Sequence, residues 1–335
     1  MERQLPDWID SYLDYTSNSE PPEMFHLWTA ITCISACLKR KCWLNWGMLT
    51  HYPNMYVVLV APSGRARKGT AMDIGYNFLS ELNIRLAAEA TTREALIRFL
   101  KQSSDTHVNQ ETGQQTFHSS LTIWSQELTV FLGYNNTQLM SDLTDWYDCK
   151  SKWNYNTKDK TLSDNIVNLW VNLFGATTPS LIQTALPQDA IGGGLTSRMI
   201  FVYENNKRCT KPLPFLTEHQ QELYPKLIHD LEMIHLLSGP FRYDQSFCDA
   251  YCEWYEREDK NPPFKDGRLS GYNERRANHF KKLCIIMSAS RSQSKVLTLV
   301  DFIRAKTILE ATETNMPKVF GGVGKSQIAP IIDKI

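Results

Sequence analysis

Nowhere does the chain approach the roughly 18–20 uninterrupted apolar residues a membrane-spanning helix needs. Its start, Met1-Glu2-Arg3-Gln4-Leu5-Pro6-Asp7, lacks the apolar centre of a signal peptide. No membrane partner is therefore expected, and a soluble, cytoplasmic protein is. An excess of either charge is missing too: 36 Lys plus Arg offset 36 Asp plus Glu, which excludes binding nucleic acid by bulk charge. Any such contact has to be local. Metal-type cysteine spacing is also absent. Of eight Cys, only Cys33, Cys37 and Cys42 cluster, with no CxxC and no His beside them, so reduced thiols are expected rather than a metal site or disulfides. There is no fixed-period repeat and no low-complexity tract.

What the sequence does have is apolar residues enough for a large core, 42% of 335 residues with nine Trp. Their spacing changes along the chain. From Leu5 to about Leu49 it is helical, through Trp8, Tyr12 and Tyr15, then Phe25, Trp28, Ile31, Ile34 and Leu38. After Pro53-Asn54, the run Met55 to Val60 is short, apolar and rich in β-branched residues, as in a buried parallel strand. Helices are then expected at 68–82, 92–101 and 137–146, and strands at 121–124, 169–174 and 198–203. Strands separated by helix-length segments imply an α/β fold with a mainly parallel sheet. Signals from 211 to 320 are nearly all helical. The division expected is an N-terminal helical segment (1–50), an α/β core (51–210), a C-terminal helical domain (211–320) and a tail (321–335) that reads as truncated or flexible.

The strongest chemical signal is the strand 56–60 running into Ala61-Pro62-Ser63-Gly64-Arg65-Ala66-Arg67-Lys68-Gly69-Thr70 and then a helix. Strand, small-residue loop, Lys and Thr, helix is the order of a phosphate-binding P-loop: backbone N–H groups wrap phosphates, Lys68 neutralises them and the Thr70 hydroxyl holds Mg²⁺. Ser63 to Thr70 are thus candidate ATP ligands. The G-x-x-x-x-G-K-[ST] template would place Gly at Ala61 and Arg67, and here the loop is one residue longer. A basic turn joining strand to helix is the alternative. Gly321-Gly322-Val323-Gly324-Lys325-Ser326 lacks a preceding strand and reads as a decoy.

The strand ending Ser125-Gln126-Glu127 suits a second catalytic element, with Glu127 as general base toward water. Gln126 stands where a metal-binding Asp is often found, so its Mg²⁺ contact would be weak or through water. The next strand ends in Gly175-Ala176-Thr177-Thr178-Pro179, where Thr177 or Thr178 can sense a γ-phosphate, or one of them caps the helix opened by Pro179. After Gly192-Gly193-Gly194, Arg198 is placed either as an arginine finger acting on a neighbouring subunit or in a structural ion pair. Lys152, Trp153, Tyr155, Lys158 and Lys160 form a basic, aromatic hairpin that suits DNA, though a solvated hairpin reads equally from the pattern. Between Lys265 and Lys306 ten basic residues face three acidic ones. Here Arg275 and Arg276 are either second sensors, DNA-phosphate ligands or a solvated face, and His279 is a packing residue.

Together, Val60 to Gly64 with Arg67-Lys68, Thr91 to Leu96, Glu127 to Gly133, Gly175 to Pro179 and Gly192 to Arg198 resemble a family of phage and mobile-element P-loop proteins, described as helicase-like or primase-helicase C-terminal domains. Arg275, Arg276, His279 and Lys282 are similar to that family's R-x-x-H-x-x-K helix, so the resemblance spans about 25 to 320. It implies a RecA- or AAA-like P-loop ATPase core working in DNA replication in the host cytoplasm, with ATP and Mg²⁺ as cofactors and DNA, single-stranded, as partner. A homo-oligomeric ring, such as a hexamer, is implied as well. The function expected is a replicative helicase or helicase-like initiator, with a nucleotide-gated loader or scaffold of little turnover as the alternative.

Overall fold

Helix α1 (Trp8–Tyr15) starts where the Asp7 carboxylate accepts from the Asp10 amide, and the almost wholly apolar α2 (Glu23–Leu38) is buried along nearly its whole length. The computed structural model describes residues 2–87, 91–108, 113, 115–133, 136–155, 164–186 and 192–321. In order follow β1 (Cys42–Trp46), β2 (Leu49–His51), β3 (Tyr56–Val60), α3 (Lys68–Glu81), β4 (Leu86–Ala87), α4 (Arg93–Gln102), β5 (Ser104–Val108), β6 (Gln115–Ser125), α5 (Leu128–Leu132), α6 (Thr137–Tyr147), β7 (Lys152–Tyr155), β8 (Asp164–Val167), β9 (Leu169–Thr177) and α7 (Pro179–Ala185). The chain continues through β10 (Met199–Tyr203), α8 (Glu218–His235), β11 (Gly239–Tyr243), α9 (Gln245–Lys260), α10 (Ser270–Arg291), β12 (Val296–Leu297) and α11 (Leu299–Asn315).

The fold is α/β. Strands β10-β3-β9-β6-β4 lie side by side in that order, all parallel, and β5 pairs antiparallel with β6. Both faces are covered, which is why the five residues of β3 and the nine of β9 are buried without alternation. On one face Trp124 and Phe174 meet edge to face at 4.6 Å beneath α2 and α3. On the other, the Tyr56 hydroxyl donates to Leu143 O at 2.8 Å. Asn172, buried within β9, accepts from the Met55 amide (2.9 Å) and the Ser35 hydroxyl (3.0 Å), tying α2 to the sheet.

Gly75 lets α3 lie against α2: a Cβ there would fall 2.3 Å from Thr29 Cγ2 and 3.0 Å from Trp124. Gly75→Ala is therefore expected to destabilise the fold by about 1–3 kcal/mol through overpacking. A urea midpoint equal to that of the parent would show that the helices have room there.

The helical ends expected from the sequence also contain strands. Lys39, in the left-handed region at φ 51°, stops α2, and β1 follows. A second sheet, β12-β11-β1-β2, then joins the first 51 residues to the last part of the chain, with β1 parallel to β11. Helix α1 adds to this union: Trp8 Nε1 donates to Leu227 O of α8 at 2.9 Å, and the Asp230 carboxylate accepts from the Gln4 and Leu5 amides. Residues 1–50, 51–210 and 211–320 thus share one contiguous core. Among the described residues, no helix is long and apolar enough to cross a membrane.

Candidate functional site

Parallel strands deliver their carboxyl ends, and the loops after them, to one edge of the sheet. Val60 of β3 lies between Thr177 of β9 and Tyr203 of β10, and Ser125 of β6 lies beside Gly175 of β9. The segments 61–67, 126–127 and 177–178 therefore converge. The chain leaves β3 for β4 at the far edge of the sheet and returns through β6 and β9 to β10, so the connections that leave β3 and β9 run in opposite directions, the place where open α/β sheets hold ligands.

The bend after β3 is built around two left-handed residues, Gly64 at φ 71° and Arg67 at φ 52°. Arg67 occupies the template's glycine position and adopts the backbone that favours glycine, at a cost of about 1–2 kcal/mol. Buried Ala66 anchors the bend, while Ser63, Gly64, Arg65, Arg67 and Thr70 are exposed. The Arg65 amide turns back onto Pro62 O and that of Ala71 onto Arg67 O. Among the described residues nothing accepts from the amides of Ser63, Gly64, Ala66, Arg67, Lys68, Gly69 or Thr70. Seven free donors thus lie along a bend that ends on the amino terminus of α3, a surface suited to an anion.

Lys68 folds back over this bend, its Nζ donating to Ala61 O at 2.9 Å. Burial lowers its pKa, and the Glu127 carboxylate works in the opposite direction, so the two side chains share one field. Glu127 itself is exposed at the start of α5. The Thr177 and Ser125 hydroxyls at the strand tips are buried and hydrogen-bond to nothing among the described residues. Thr178 caps α7, its hydroxyl accepting from the Leu181 amide at 3.3 Å. Gln126 lies on the first turn of α3: a Cβ on Gly69 would come 3.2 Å from its Oε1, and its Nε2 donates to Asp73 Oδ1 at 2.5 Å. The sequence reading passed over Asp73, although it stands three residues after Thr70 on the same helix and so shares its face. Among the described residues no group of three or more His, Cys, Asp or Glu could hold a metal ion.

The bend is braced by Glu20, which accepts from Arg67 Nε (3.1 Å) and Lys207 Nζ (2.7 Å), while the Lys207 amide donates to Arg65 O. The Lys207 hydrogen bond, with the Lys211 amide, holds the Glu20 carboxyl down to about 2. Beside Arg67 and Thr70 opens a cavity of about 440 Å³, lined also by Tyr15, Asn18, Ile74, Pro214 and Leu216. On the far side of the Gln126–Asp73 pair lies a second, of about 660 Å³, walled by Tyr76, Arg98, Phe99 and Trp124.

The other arginines of the sequence reading are elsewhere. Arg198 precedes β10, and Met199 pairs with Tyr56 at the start of β3, so Arg198 is one strand length, about 17 Å at ~3.3 Å per residue, from the bend. It is buried, donating to Asp148 Oδ2 and Gly194 O at 2.8 Å each. As a finger for a neighbouring subunit it would first have to leave that pair. Arg275 bonds the Ser197 hydroxyl at 3.1 Å and approaches Asp148 at 3.9 Å, at this same opposite end. Arg276 is buried, forked onto Glu313 at 2.6 and 2.8 Å and bonded to Glu258 at 2.5 Å, with the Tyr272 hydroxyl also on Glu313. Neither arginine reaches the bend in this chain, nor do they form a solvated face. Arg276→Met leaves the Glu313 charge buried without its cation and is expected to cost about 3–5 kcal/mol. Chemical denaturation measures it, and a loss below about 1 kcal/mol would mean that Tyr272 alone satisfies the carboxylate. His279 packs as expected: Nε2–H donates to Ser197 O and the Tyr147 hydroxyl donates to Nδ1, each at 3.0 Å.

Strands β7 and β8 do form an antiparallel hairpin. Trp153 and Tyr155 are half-buried, against Trp146 (5.5 Å) and the Arg93 guanidinium (4.9 Å), because alternation turns them to one face and Lys152 and Asn154 to solvent. The exposed face thus offers charge rather than aromatic rings. Lys158 and Lys160, like Gly322 to Ser326 and the rest of the tail, lie outside the described residues.

A scan of the sequence against protein-family models finds no match, and no curated protein matches it.

Proposed function

We propose that the chain is a P-loop ATPase that binds ATP on the bend 63–70 and hydrolyses it in work on DNA, as a replicative helicase or helicase-like initiator. One observation carries the nucleotide reading: seven amides without acceptors along a bend that runs into α3, with the Lys68 ammonium above them. The strand order supports it. Strand β9 lies between β3, which feeds the bend, and β6, which ends at Glu127, as the added central strand does in such ATPases. The 440 Å³ cavity beside Arg67 and Thr70 is of the size that holds small ligands and would seat the nucleoside.

In this reading Lys68 exchanges Ala61 O for phosphate oxygens, Glu127 orients and deprotonates water, and Thr177 turns its unpaired hydroxyl to the γ-phosphate or that water. Mg²⁺, when bound, would neutralise phosphate charge. The Thr70 hydroxyl would hold it, with Gln126 and Asp73 reaching it through water. Lys152 on the hairpin and a ring of subunits complete the proposal for DNA. The Gln126–Asp73 bond favours a second reading, a nucleotide-gated loader or scaffold with little turnover, since it engages the side chain nearest the metal position. Calorimetry with ATP, together with turnover measured with and without single-stranded DNA, tests both. DNA-stimulated hydrolysis supports the motor, binding without hydrolysis supports the loader, and absence of binding removes both.

A further inference from the structure

At the amino-terminal end of the central strands, opposite the bend, Lys282 of α10 is buried with no carboxylate of the described residues on its ammonium. Its Nζ donates to Asn54 Oδ1 at 2.8 Å and lies 3.5 Å from the centre of the Tyr147 ring. A buried cation served by an amide oxygen and a ring face keeps donors in hand and carries an uncompensated charge. It lines a cleft of about 160 Å³ with His51, Asn54, Tyr147, Asp148 and Asn278. His51 is 7% exposed, and its Nε2 is buried with no hydrogen-bond partner among the described residues. The one carboxylate of the cleft, Asp148, is already shared by Arg198 at 2.8 Å and Arg275 at 3.9 Å. Those two arginines lie outside the lining, and with Lys282 they set three cations around the one carboxylate, so the surroundings of the cleft are net positive. Burial lowers Lys282 to about 8, and burial with the charges of Lys281 and Lys282 drives His51 down to about 3, so His51 stands neutral beside a cation.

We propose that this cleft binds one tetrahedral oxyanion, a phosphate group, between Lys282 Nζ and His51 Nε2. The volume is below the roughly 300–1,000 Å³ of drug-sized ligand sites, so it admits a single phosphate group and no nucleotide. Neutral His51, protonated on Nε2, donates without adding charge, and Lys282 supplies the attraction. The phosphate is either free or part of a DNA backbone. The exposed Lys152 hairpin belongs to the same end of the sheet, since the Asn168 amide, just before β9, donates to Ser151 O, two residues after Cys149 of the cleft. The inference rests on groups other than Ser63 to Thr70 and stands apart from the ATP reading.

The test uses the full chain carrying Lys68→Ala, titrated with inorganic phosphate by calorimetry. One bound phosphate is expected, and adding Lys282→Met should weaken it at least tenfold. Should that variant fail to fold, Asn278→Asp places a competing carboxylate on the cleft wall without a change of shape and should do the same. No uptake by the Lys68→Ala chain, or uptake unchanged by these substitutions, overturns the proposal. Anisotropy with labelled oligothymidylate then identifies the source. A parallel tenfold loss of DNA affinity, with the salt slope falling by about 1, assigns the phosphate to DNA, while phosphate binding lost with DNA affinity unaltered assigns it to free phosphate.

Discussion

Lys68→Ala is expected to abolish ATP binding, and Glu127→Gln to leave binding intact while lowering turnover about 100-fold or more. The difference follows from where the two groups lie. Lys68 is the cation above the amide-lined bend, already partly desolvated, and its present bond to Ala61 O is a single neutral acceptor that phosphate oxygens would outbid. Without it the bend keeps its amides but loses the charge that offsets three or four phosphate oxyanions. Glu127 is exposed at the other side of the same field, where a carboxylate is suited to taking a proton from water and an amide is not. Its replacement by Gln keeps the shape and removes the base. Calorimetry with ATP and a phosphate-release assay, run on parent and both variants, separate the steps. Unchanged turnover in both variants would end the ATPase reading, and a parent that binds but does not turn over would leave the loader reading in its place.

The part of this site that could be read from the sequence is the part made by neighbours in the chain. Tyr56 to Val60 is short, apolar and β-branched, Pro53-Asn54 marks its start, and a small-residue loop with Lys68 and Thr70 follows it, so strand, bend and helix are local consequences of local residues. The Thr178-Pro179 pair likewise announced the cap of α7, although pattern alone left open which threonine took that role. Long-range choices were hidden. Cys42 to Trp46 is too short to show a period, and it becomes a strand because Gly239 to Phe241 arrives beside it from the other end of the chain. Arg276 reads as a helix-surface cation until Glu313, 37 residues away, is brought against it. Arg198 reads as the first residue of the strand 198–203 but closes a 3-10 turn just before β10, and its distance from the bend depends on the parallel register of β10 and β3, which no spacing encodes. Asp73 carried a legible signal, since a carboxylate three residues after Thr70 shares its helical face.

Stability is expected to fall steeply below pH 6.5, before the carboxylates titrate. His26, His51, His118 and His279 are buried, and burial, the largest cause in each case, drives all four imidazoles from 6.5 down to about 3. Neutral partners fit this: the Ser19 hydroxyl meets His26 at 2.7 Å, Ser120 meets His118 at 2.8 Å, and Tyr147 and Ser197 hold His279. Above pH 6.5 these residues are neutral in both folded and unfolded chains and contribute no pH dependence. Below it the unfolded chain takes up protons that the folded chain refuses, and stability declines until the pH reaches the folded values near 3. Each imidazole contributes up to about 1.4 kcal/mol per pH unit, so four acting together approach about 5 kcal/mol per unit, comparable with the ~5–15 kcal/mol that holds a typical domain. Urea midpoints at pH 7, 6 and 5 should therefore drop sharply, and acid unfolding should be complete well above the carboxylate range. Burial drives His235 down to about 4 and adds a fifth contribution, so His118→Asn, which keeps an acceptor for the Ser120 hydroxyl, should remove about a fifth of the slope. Equal midpoints at pH 7 and pH 5 would mean that these imidazoles accept protons within the fold, and that the packing around them is looser than their burial implies.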